Sequence, residues 1–257
     1  MDLGLQGRRA LVTGASRGIG AAVALALAAE GARVLAVARD QARLDTVAAA
    51  CPAGAGSISA RTADLAERTA IEGLAGEAAT IDVLVLNSGG PPPGPVSEVT
   101  DGTWQAQFES MFLSMVRLTR LALPGMRQRR YGRILAVVSS GVVQPIASLG
   151  ISNALRLAVV GWAKTLAGEV AADGVTVNCI APGRIATDRI GELDRAAAAR
   201  SGVSLEEVER QSRAAIPAGR TGEPAEFAAL AAFLASSRAS YMTGGVLRVD
   251  GGMIRGL

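Results

Sequence analysis

Histidine is absent from the 257 residues of this chain, and aromatic side chains make up only 3% of it. The first absence excludes catalysis by an imidazole base and removes the commonest nitrogen ligand for metals, so no metal site is predicted. The second means that aliphatic side chains have to build the hydrophobic core. With 49% hydrophobic residues, the chain has enough of them for one sizeable core.

Cysteine and long apolar runs are also scarce. The two cysteines, Cys51 and Cys179, lie far apart in apolar or small-residue surroundings. This pattern favours free thiols in a reducing, cytoplasmic compartment over a disulfide. No apolar stretch reaches the length of a membrane span, and the segment 1–9 is polar, so neither a span nor a signal peptide is predicted.

The excess of positive charge is small, at 26 basic against 23 acidic residues, and Lys164 is the only lysine. Acidic residues are interleaved throughout. The one dense basic cluster consists of Arg127, Arg129, Arg130 and Arg133. We interpret it as a solvated helix end and turn before a strand, and we predict no nucleic-acid partner. The alternative interpretation, that the chain is a nucleic-acid-binding or interaction module, would rest on this charge alone.

Apolar runs of strand length alternate with helical patterns along the chain, which is typical of a parallel sheet covered on both faces. Strands are predicted at 9–13, 33–38, 57–62, 83–86, 133–139, 175–180 and 246–249. Helices are predicted at 19–30, 41–50, 67–79, 103–129, 152–172 and 224–235. The expected fold is a single α/β domain over 1–257, a doubly wound (Rossmann) seven-stranded parallel sheet with helices on both faces.

A glycine-rich stretch lies between the first predicted strand and the first predicted helix. It reads Thr13-Gly14-Ala15-Ser16-Arg17-Gly18-Ile19-Gly20. A strand, a glycine turn and a helix together place a pyrophosphate on the helix N-terminus. Gly14 permits the tight turn, Gly18 lets the backbone approach the phosphates, and Gly20 lets the helix pack closely. The pattern favours a nucleotide site; the alternative is a structural turn without a ligand.

The same spacing is one of several motifs that run nearly from end to end. They are 13–20, Asp64-Leu65, Asn87-Ser88-Gly89, 178–183, Thr187, Arg220 with Pro224 and Glu226, and Asp250-Gly251-Gly252. With them the chain resembles the short-chain dehydrogenase/reductase family, in particular its 3-oxoacyl-[acyl-carrier-protein] reductases. The resemblance implies an oxidoreductase acting on a small carbonyl or alcohol. It also implies a homotetramer or homodimer, and a substrate-covering segment at 188–216, which carries no strand pattern and has room for two short helices.

The end of the second predicted strand bears on the choice of cofactor. Ala38 stands where NAD-dependent relatives carry aspartate, and Arg39 follows it, while Arg17 adds a second positive charge within the glycine turn. Because a guanidinium offers planar donors suited to a phosphate, we predict NADP(H) rather than NAD(H). The alternative is that Arg39 is solvated or pairs with Asp40.

The resemblance also implies a set of cofactor-binding residues. They are Gly14, Ser16, Arg17, Gly18, Ile19, Gly20, Arg39, Asp64, Leu65, Asn87, Ser88, Gly89, Arg156, Pro182, Gly183, Ile185 and Thr187. Asp64 would bond the adenine amino group, and the stretch 87–89 would pack along the adenosine ribose. Pro182 and Gly183 would bend the chain beside the nicotinamide, with Ile185 and Thr187 reaching its carboxamide. Each could instead be an ordinary turn residue.

The catalytic positions depart from the family pattern, which is a tetrad of Asn, Ser, Tyr and Lys. The tyrosine is the general acid/base, and the lysine four residues later lowers its pKa and holds the nicotinamide ribose. With Gly161 in register, the tyrosine position falls on Ser152 and the lysine position on Arg156. The asparagine falls on Met111. The tetrad serine is Ser140, with Ser139 as the alternative because the loop length allows either.

This departure leaves two interpretations. A serine hydroxyl is far less acidic than a phenol and needs a base beside it. The two tyrosines, Tyr131 and Tyr241, are predicted to lie away from the site. Ser140, Ser152 and Arg156 could polarise a carbonyl without protonating it, giving a reductase with an atypical site. The alternative is a catalytically silent NADP(H)-binding protein with a sensing or assembly role.

Two further surfaces are predicted. The loop 89–95, rich in glycine and proline, follows the fourth strand and is either a stiff wall of the substrate site or a rigid surface loop. The two long helices at 103–129 and 152–172 carry more apolar side chains than one sheet face needs, and an interface between subunits is expected there. These side chains are Phe108, Phe112, Met115, Leu157, Val160 and Leu166.

Overall fold

The computed structural model describes residues 1–54 and 56–256. Within them, seven parallel strands form a seven-stranded sheet, which confirms the predicted fold class. The strands are Arg9–Thr13 (β1), Arg33–Ala38 (β2), Ser57–Thr62 (β3), Val83–Leu86 (β4), Gly132–Val137 (β5), Val175–Pro182 (β6) and Val246–Val249 (β7).

The strand order is β3-β2-β1-β4-β5-β6-β7. In the register of the sheet, Leu11 of β1 lies between Leu35 of β2 and Leu84 of β4. The chain therefore leaves β1 toward one side first and later returns to add β4 on the other side. Such a reversal opens a crevice at the carboxyl ends of the strands, where open α/β sheets bind ligands.

Helices connect the strands and cover both faces of the sheet. They are Gly18–Ala29 (α1), Gln41–Ala49 (α2), Arg68–Glu72 (α3), Ala75–Ala78 (α4), Asp101–Phe108 (α5), Ser114–Arg129 (α6), Gly150–Val170 (α7), Asp188–Ser201 (α8), Leu205–Ala214 (α9) and Pro224–Ala235 (α10). Within the described residues, none of these helices is long and apolar enough to cross a membrane.

Two predicted helices differ from the observed ones. The helix predicted at 67–79 is broken into α3 and α4 at Gly73, because glycine is a poor helix former and the break leaves Leu74 fully buried. The helix predicted at 103–129 is interrupted by a π-helical turn, Glu109–Leu113, between α5 and α6. The buried Met111 lies in this turn.

The core is aliphatic, as the shortage of aromatic residues predicted. On one face, α1 and α10 pack together over the sheet, and Phe227 of α10 is fully buried among them. On the other face, α6 and α7 cover the sheet. Met115 and Leu166 belong to this second core, so the prediction that both lie on an outer apolar surface is wrong.

The interpretation of the arginine cluster as solvated is wrong for Arg133. This side chain is 3% exposed, and its guanidinium donates to the backbone oxygens of Ser236 at 3.0 Å and Gly132 at 2.8 Å. It also stacks over the ring of Tyr131, 4.3 Å from the ring centroid. Burial of a guanidinium is tolerable here because carbonyl oxygens accept from it, and burial lowers the pKa of Arg133.

Candidate active site

The glycine turn after β1 is closed by direct backbone packing. Gly14 and Gly18 have φ angles of +58° and +56°, which are strained for residues with a Cβ. A Cβ on Gly20 would lie 2.2 Å from the oxygen of Gly14 and 2.8 Å from Nδ2 of Asn87. The turn and the start of α1 therefore approach each other more closely than any side chain permits. The Arg17 side chain at the N-cap does not cap α1, so the backbone N–H groups of its first turn can bind a phosphate.

Asn87 and Thr13 join this turn to the end of β4. The hydroxyl of Thr13 donates to the oxygen of Asn87 at 2.8 Å and accepts from the backbone nitrogen of Asn87 at 2.8 Å. The Asn87 side chain donates to the oxygen of Gly14 at 3.3 Å. These bonds hold the stretch 87–89 beside the glycine turn, where the sequence predicts the adenosine side of the cofactor.

The end of β6 borders the same crevice. A Cβ on Gly183 would lie 2.7 Å from Cα of Asp250, so this glycine permits the close approach of the loop after β7. A Cβ on Gly18 would lie 3.1 Å from Cγ2 of Thr187, so Thr187 packs against the glycine turn. Ile185 is buried at 3% exposure and contacts Gly222, so its side chain is turned into the core, and only its backbone is left for a ligand.

Three arginines surround the end of β2. Arg39 is 79% exposed, and its Nη1 lies 3.8 Å from Oδ2 of Asp64 rather than next to Asp40. Asp40 instead caps α2 and pairs with Arg43, with Nε and Oδ2 3.4 Å apart. Arg17 donates from Nη1 to Oδ2 of Asp188 at 3.0 Å. Of the three arginines, Arg39 is the most exposed and the most weakly paired, whereas Arg43 lies near two carboxylates, those of Asp40 and Asp188.

Ser152 and Arg156 lie one turn apart on the inner face of α7, and both are 7% exposed. Arg156 donates from Nη1 to the oxygen of Val137 at 2.6 Å and from Nη2 to the oxygen of Ser88 at 3.4 Å. Its head thus reaches the carboxyl ends of β5 and β4. Burial, and then repulsion by Arg189, lowers the pKa of Arg156 to about 10, so the side chain keeps its charge at neutral pH.

The serines after β5 differ in their surroundings. Ser140 is 2% exposed and begins a short 3₁₀ turn, Ser140–Val142. Ser139 is half-buried, and its hydroxyl oxygen accepts from the nitrogen of Gly141 at 3.0 Å, which leaves its proton free to donate. Of the two, Ser139 is the hydroxyl more accessible to a substrate.

The loop 89–95 packs between two helices at this edge. The nitrogen of Gly94 donates to the oxygen of Ser148 at 2.8 Å, just before α7. Nη2 of Arg189, in the first turn of α8, donates to the oxygen of Pro91. The loop therefore borders the space between α7 and α8, next to Arg156.

Sequence reasoning did not single out Arg43 or Arg189. Arg43 had a local signal, because it lies one helical turn after Asp40 at the strand end. Arg189 had none. Its position beside Pro91 depends on how α8 folds back over the sheet, across nearly a hundred residues of chain.

Comparisons with known proteins agree with this geometry. The family model described as Enoyl-(Acyl carrier protein) reductase matches residues 14–254. The 3-oxoacyl-[acyl-carrier-protein] reductase of Vibrio cholerae is 37% identical over 257 residues, covering 98% of this chain and 99% of that protein.

Two solved structures extend the likeness to the fold. L-sorbose reductase from Gluconobacter frateurii, complexed with NADPH and L-sorbose, has a TM-score of 0.93 and 33% identity over the whole of both chains. A 3-oxoacyl (acyl-carrier-protein) reductase from Agrobacterium tumefaciens with NADP bound has a TM-score of 0.87 and 33% identity, covering 97% of this chain and 95% of the other.

Proposed function

The chain belongs to the short-chain dehydrogenase/reductase family, and from that premise we propose that it is an NADP(H)-dependent oxidoreductase of a carbonyl or alcohol substrate. The observation that carries the proposal is the glycine turn packed against Asn87 at the carboxyl edge of the sheet, with the exposed, weakly paired Arg39 at the neighbouring strand end. The relatives with bound NADPH or NADP support the choice of cofactor. The two free cysteines agree with a reducing, cytoplasmic compartment.

The glycine turn fits a pyrophosphate, because Gly14 and Gly18 take positive φ angles and the close packing of Gly20 on Gly14 holds the start of α1 directly against the turn. Backbone N–H groups at the start of α1 would hold the phosphates, and Arg39 with Arg43 would hold the 2′-phosphate. Asp64 has one carboxylate oxygen occupied by the nitrogen of Ala66 at 2.9 Å, and the other is available to an adenine amino group or to Arg39. When bound, NADPH supplies a hydride.

On the substrate side, the protein's side chains polarise the substrate carbonyl group but do not protonate it. The hydroxyls of Ser152 and of Ser139 or Ser140 donate to a carbonyl oxygen, and the charge of Arg156 favours negative charge developing there. None of these groups is an efficient proton donor at neutral pH. We therefore expect the protein to reduce ordinary ketones slowly. The alternative, a catalytically silent NADP(H)-binding protein, shares the same cofactor site.

The segment 188–216, which contains α8 and α9, is proposed to cover the substrate. Its first turn contacts both sides of the crevice, through Asp188 to Arg17 and through Arg189 to Pro91. A segment held at two points can exclude water from the space beneath it while it remains able to open.

Replacement of Arg39 tests the cofactor assignment. NADPH is expected to bind more tightly than NADH, and Arg39→Asp is expected to narrow or reverse the preference. One charge-assisted contact to a phosphate is worth about 1.5–3 kcal/mol, which corresponds to about 10- to 100-fold in affinity. Calorimetric titration of both cofactors measures the ratio. Arg33→Asp, an exposed arginine at the other end of β2, is the matched control. Equal binding of NADPH and NADH by the native protein would refute the assignment.

We also propose that the chain forms a homotetramer or homodimer through α7 and the segment 103–129, which comprises most of α5, the π-helical turn and α6. Leu157 is 53% exposed and Phe108 39% exposed, and Phe108 stacks on Phe112 with ring centroids 5.2 Å apart. A charge placed there should be excluded from an apolar interface. Leu157→Glu is therefore expected to lower the mass measured by light scattering, whereas Val203→Glu, at a similarly exposed position between α8 and α9, should not. A monomer mass for the native protein at micromolar concentration would contradict the proposal.

A further inference from the structure

Two guanidinium groups, those of Arg156 and Arg189, bond to the loop after β4 beside the proposed substrate space. Among the described residues, Arg156 has no carboxylate within 4 Å, and its head bonds only to backbone carbonyls. Arg189 has one carboxylate partner in the same part of the structure, Glu192, at 3.4 Å. That carboxylate is shared with Arg17, whose Nη1 lies 3.3 Å from it. The local charge of this space is therefore positive.

Both guanidiniums contact the same four-residue stretch, 88–91, at the carboxyl end of β4. Arg156 donates to the oxygen of Ser88, and Arg189 donates to the oxygen of Pro91. A Cβ on Gly90, between these contacts, would lie 3.1 Å from Nη2 of Arg189. The buried hydroxyl of Ser88 has no hydrogen-bond partner among the described residues. The stretch thus positions two cations from different helices on one side of the space.

Two like charges in a partly desolvated space repel each other, and repulsion by Arg189 contributes to the lowered pKa of Arg156. An anion between them would relieve this repulsion. Of its five N–H groups, Arg156 uses two for the backbone carbonyls, and the others have no partner among the described residues. A guanidinium with free donors matches the two oxygens of a carboxylate in geometry as well as in charge.

We propose that Arg156 and Arg189 bind the carboxylate of an anionic substrate, and hence that the natural substrate is a small carbonyl compound that carries a carboxylate near its reducible group. The assignment rests on the proposed oxidoreductase function and narrows its substrate class. Arg156 contributes the buried charge from α7. Arg189 contributes the second charge from α8, within the segment 188–216.

Calorimetric binding of matched acids and esters tests the proposal without any turnover. The native protein is titrated with pyruvate and phenylpyruvate and with their methyl esters, in the presence and in the absence of NADP⁺. At least one acid is expected to bind tenfold or more tightly than its ester, because two charge-assisted contacts are lost in the ester. Acids that bind no more tightly than their esters, in both conditions, would overturn the proposal.

The variant Arg189→Gln separates the role of this arginine from general attraction to a positively charged protein. It should reduce the acid-to-ester preference about tenfold, whereas Arg195→Gln, an exposed arginine on the same helix, should leave it unchanged. An unchanged preference in Arg189→Gln would also overturn the assignment. A native protein that prefers the acids but does not bind NADP⁺ would support the anion site and refute the proposed oxidoreductase function. Failure of the anion-site proposal can therefore be distinguished from failure of the proposed function.

Discussion

The double variant Ser152→Tyr with Arg156→Lys is expected to reduce simple ketones about 10² to 10⁴ times faster than the native protein, the range that general acid catalysis supplies. Reduction of a carbonyl leaves an alkoxide, which needs a proton. A phenol at position 152, with its pKa lowered by an ammonium one helical turn away, can provide that proton at neutral pH, whereas Ser152 cannot. The rate of NADPH oxidation with a panel of neutral ketones measures the change.

The two substitutions should act as one unit. Ser152→Tyr alone should give a smaller gain and Arg156→Lys alone none, so that the combined effect exceeds the sum of the single effects in free energy. NADPH affinity measured on each variant is the control for an intact cofactor site. No gain in a double variant that folds and binds NADPH would favour the catalytically silent alternative. Strong native activity that survives both Ser139→Ala and Ser152→Ala would show that the site lies elsewhere.

Gly20→Ala is expected to lower NADPH affinity about 100-fold or more. The new methyl group would lie 2.2 Å from the oxygen of Gly14, and a backbone atom cannot give way as a flexible side chain can. The turn must move, and the loss of two charge-assisted bonds to the phosphates, at about 1.5 kcal/mol or more each, accounts for the fall in affinity. We also expect a loss in unfolding free energy of about 1–3 kcal/mol, as for other overpacked sites.

The matched control is Gly76→Ala. Gly76 is an exposed glycine in α4, and no atom lies within 4 Å of the position that an added methyl group would take, so alanine should be neutral or slightly stabilising there. Calorimetric titration with NADPH and thermal unfolding of both variants check the result. A Gly20→Ala variant with native affinity would mean that the phosphates do not rest on this turn.

Much of the fold was predictable from the sequence because it depends on local patterns. Five of the seven strands, β1 to β4 and β7, have the predicted limits, and four of them are followed directly by a turn-forming or charged residue: Gly14, Arg39, Asn87 and Asp250. The π-helical turn at Glu109–Leu113 carried no local sequence signal; its buried residue, Met111, packs with Ile151 and Leu155 of α7, which are distant in the sequence.

For the site, too, the outcome depends on whether a residue carries a local signal or contacts a distant part of the chain. The glycine turn and its neighbour Asn87 carried a spacing signal, and the structure brings them together. The predicted role of Arg17 was incomplete, because its pairing with Asp188 depends on how a distant helix folds back. The burial of Arg133 was missed for a related reason. Its acceptors include Ser236, which is contributed by the far end of the chain.

The packing of α1 against α10 has a consequence for the protein during its synthesis. The apolar face of α1, with Val23 and Leu27, is covered by Phe227 and its neighbours in α10, which are synthesised much later than α1. At about 5–20 residues per second, that face waits about 10 to 40 s for its cover. The packing around α1 is therefore completed only after α10 has been synthesised. A nascent chain halted before α10 would expose the apolar face of α1, the helix that follows the glycine turn, and chaperones would have to protect that face.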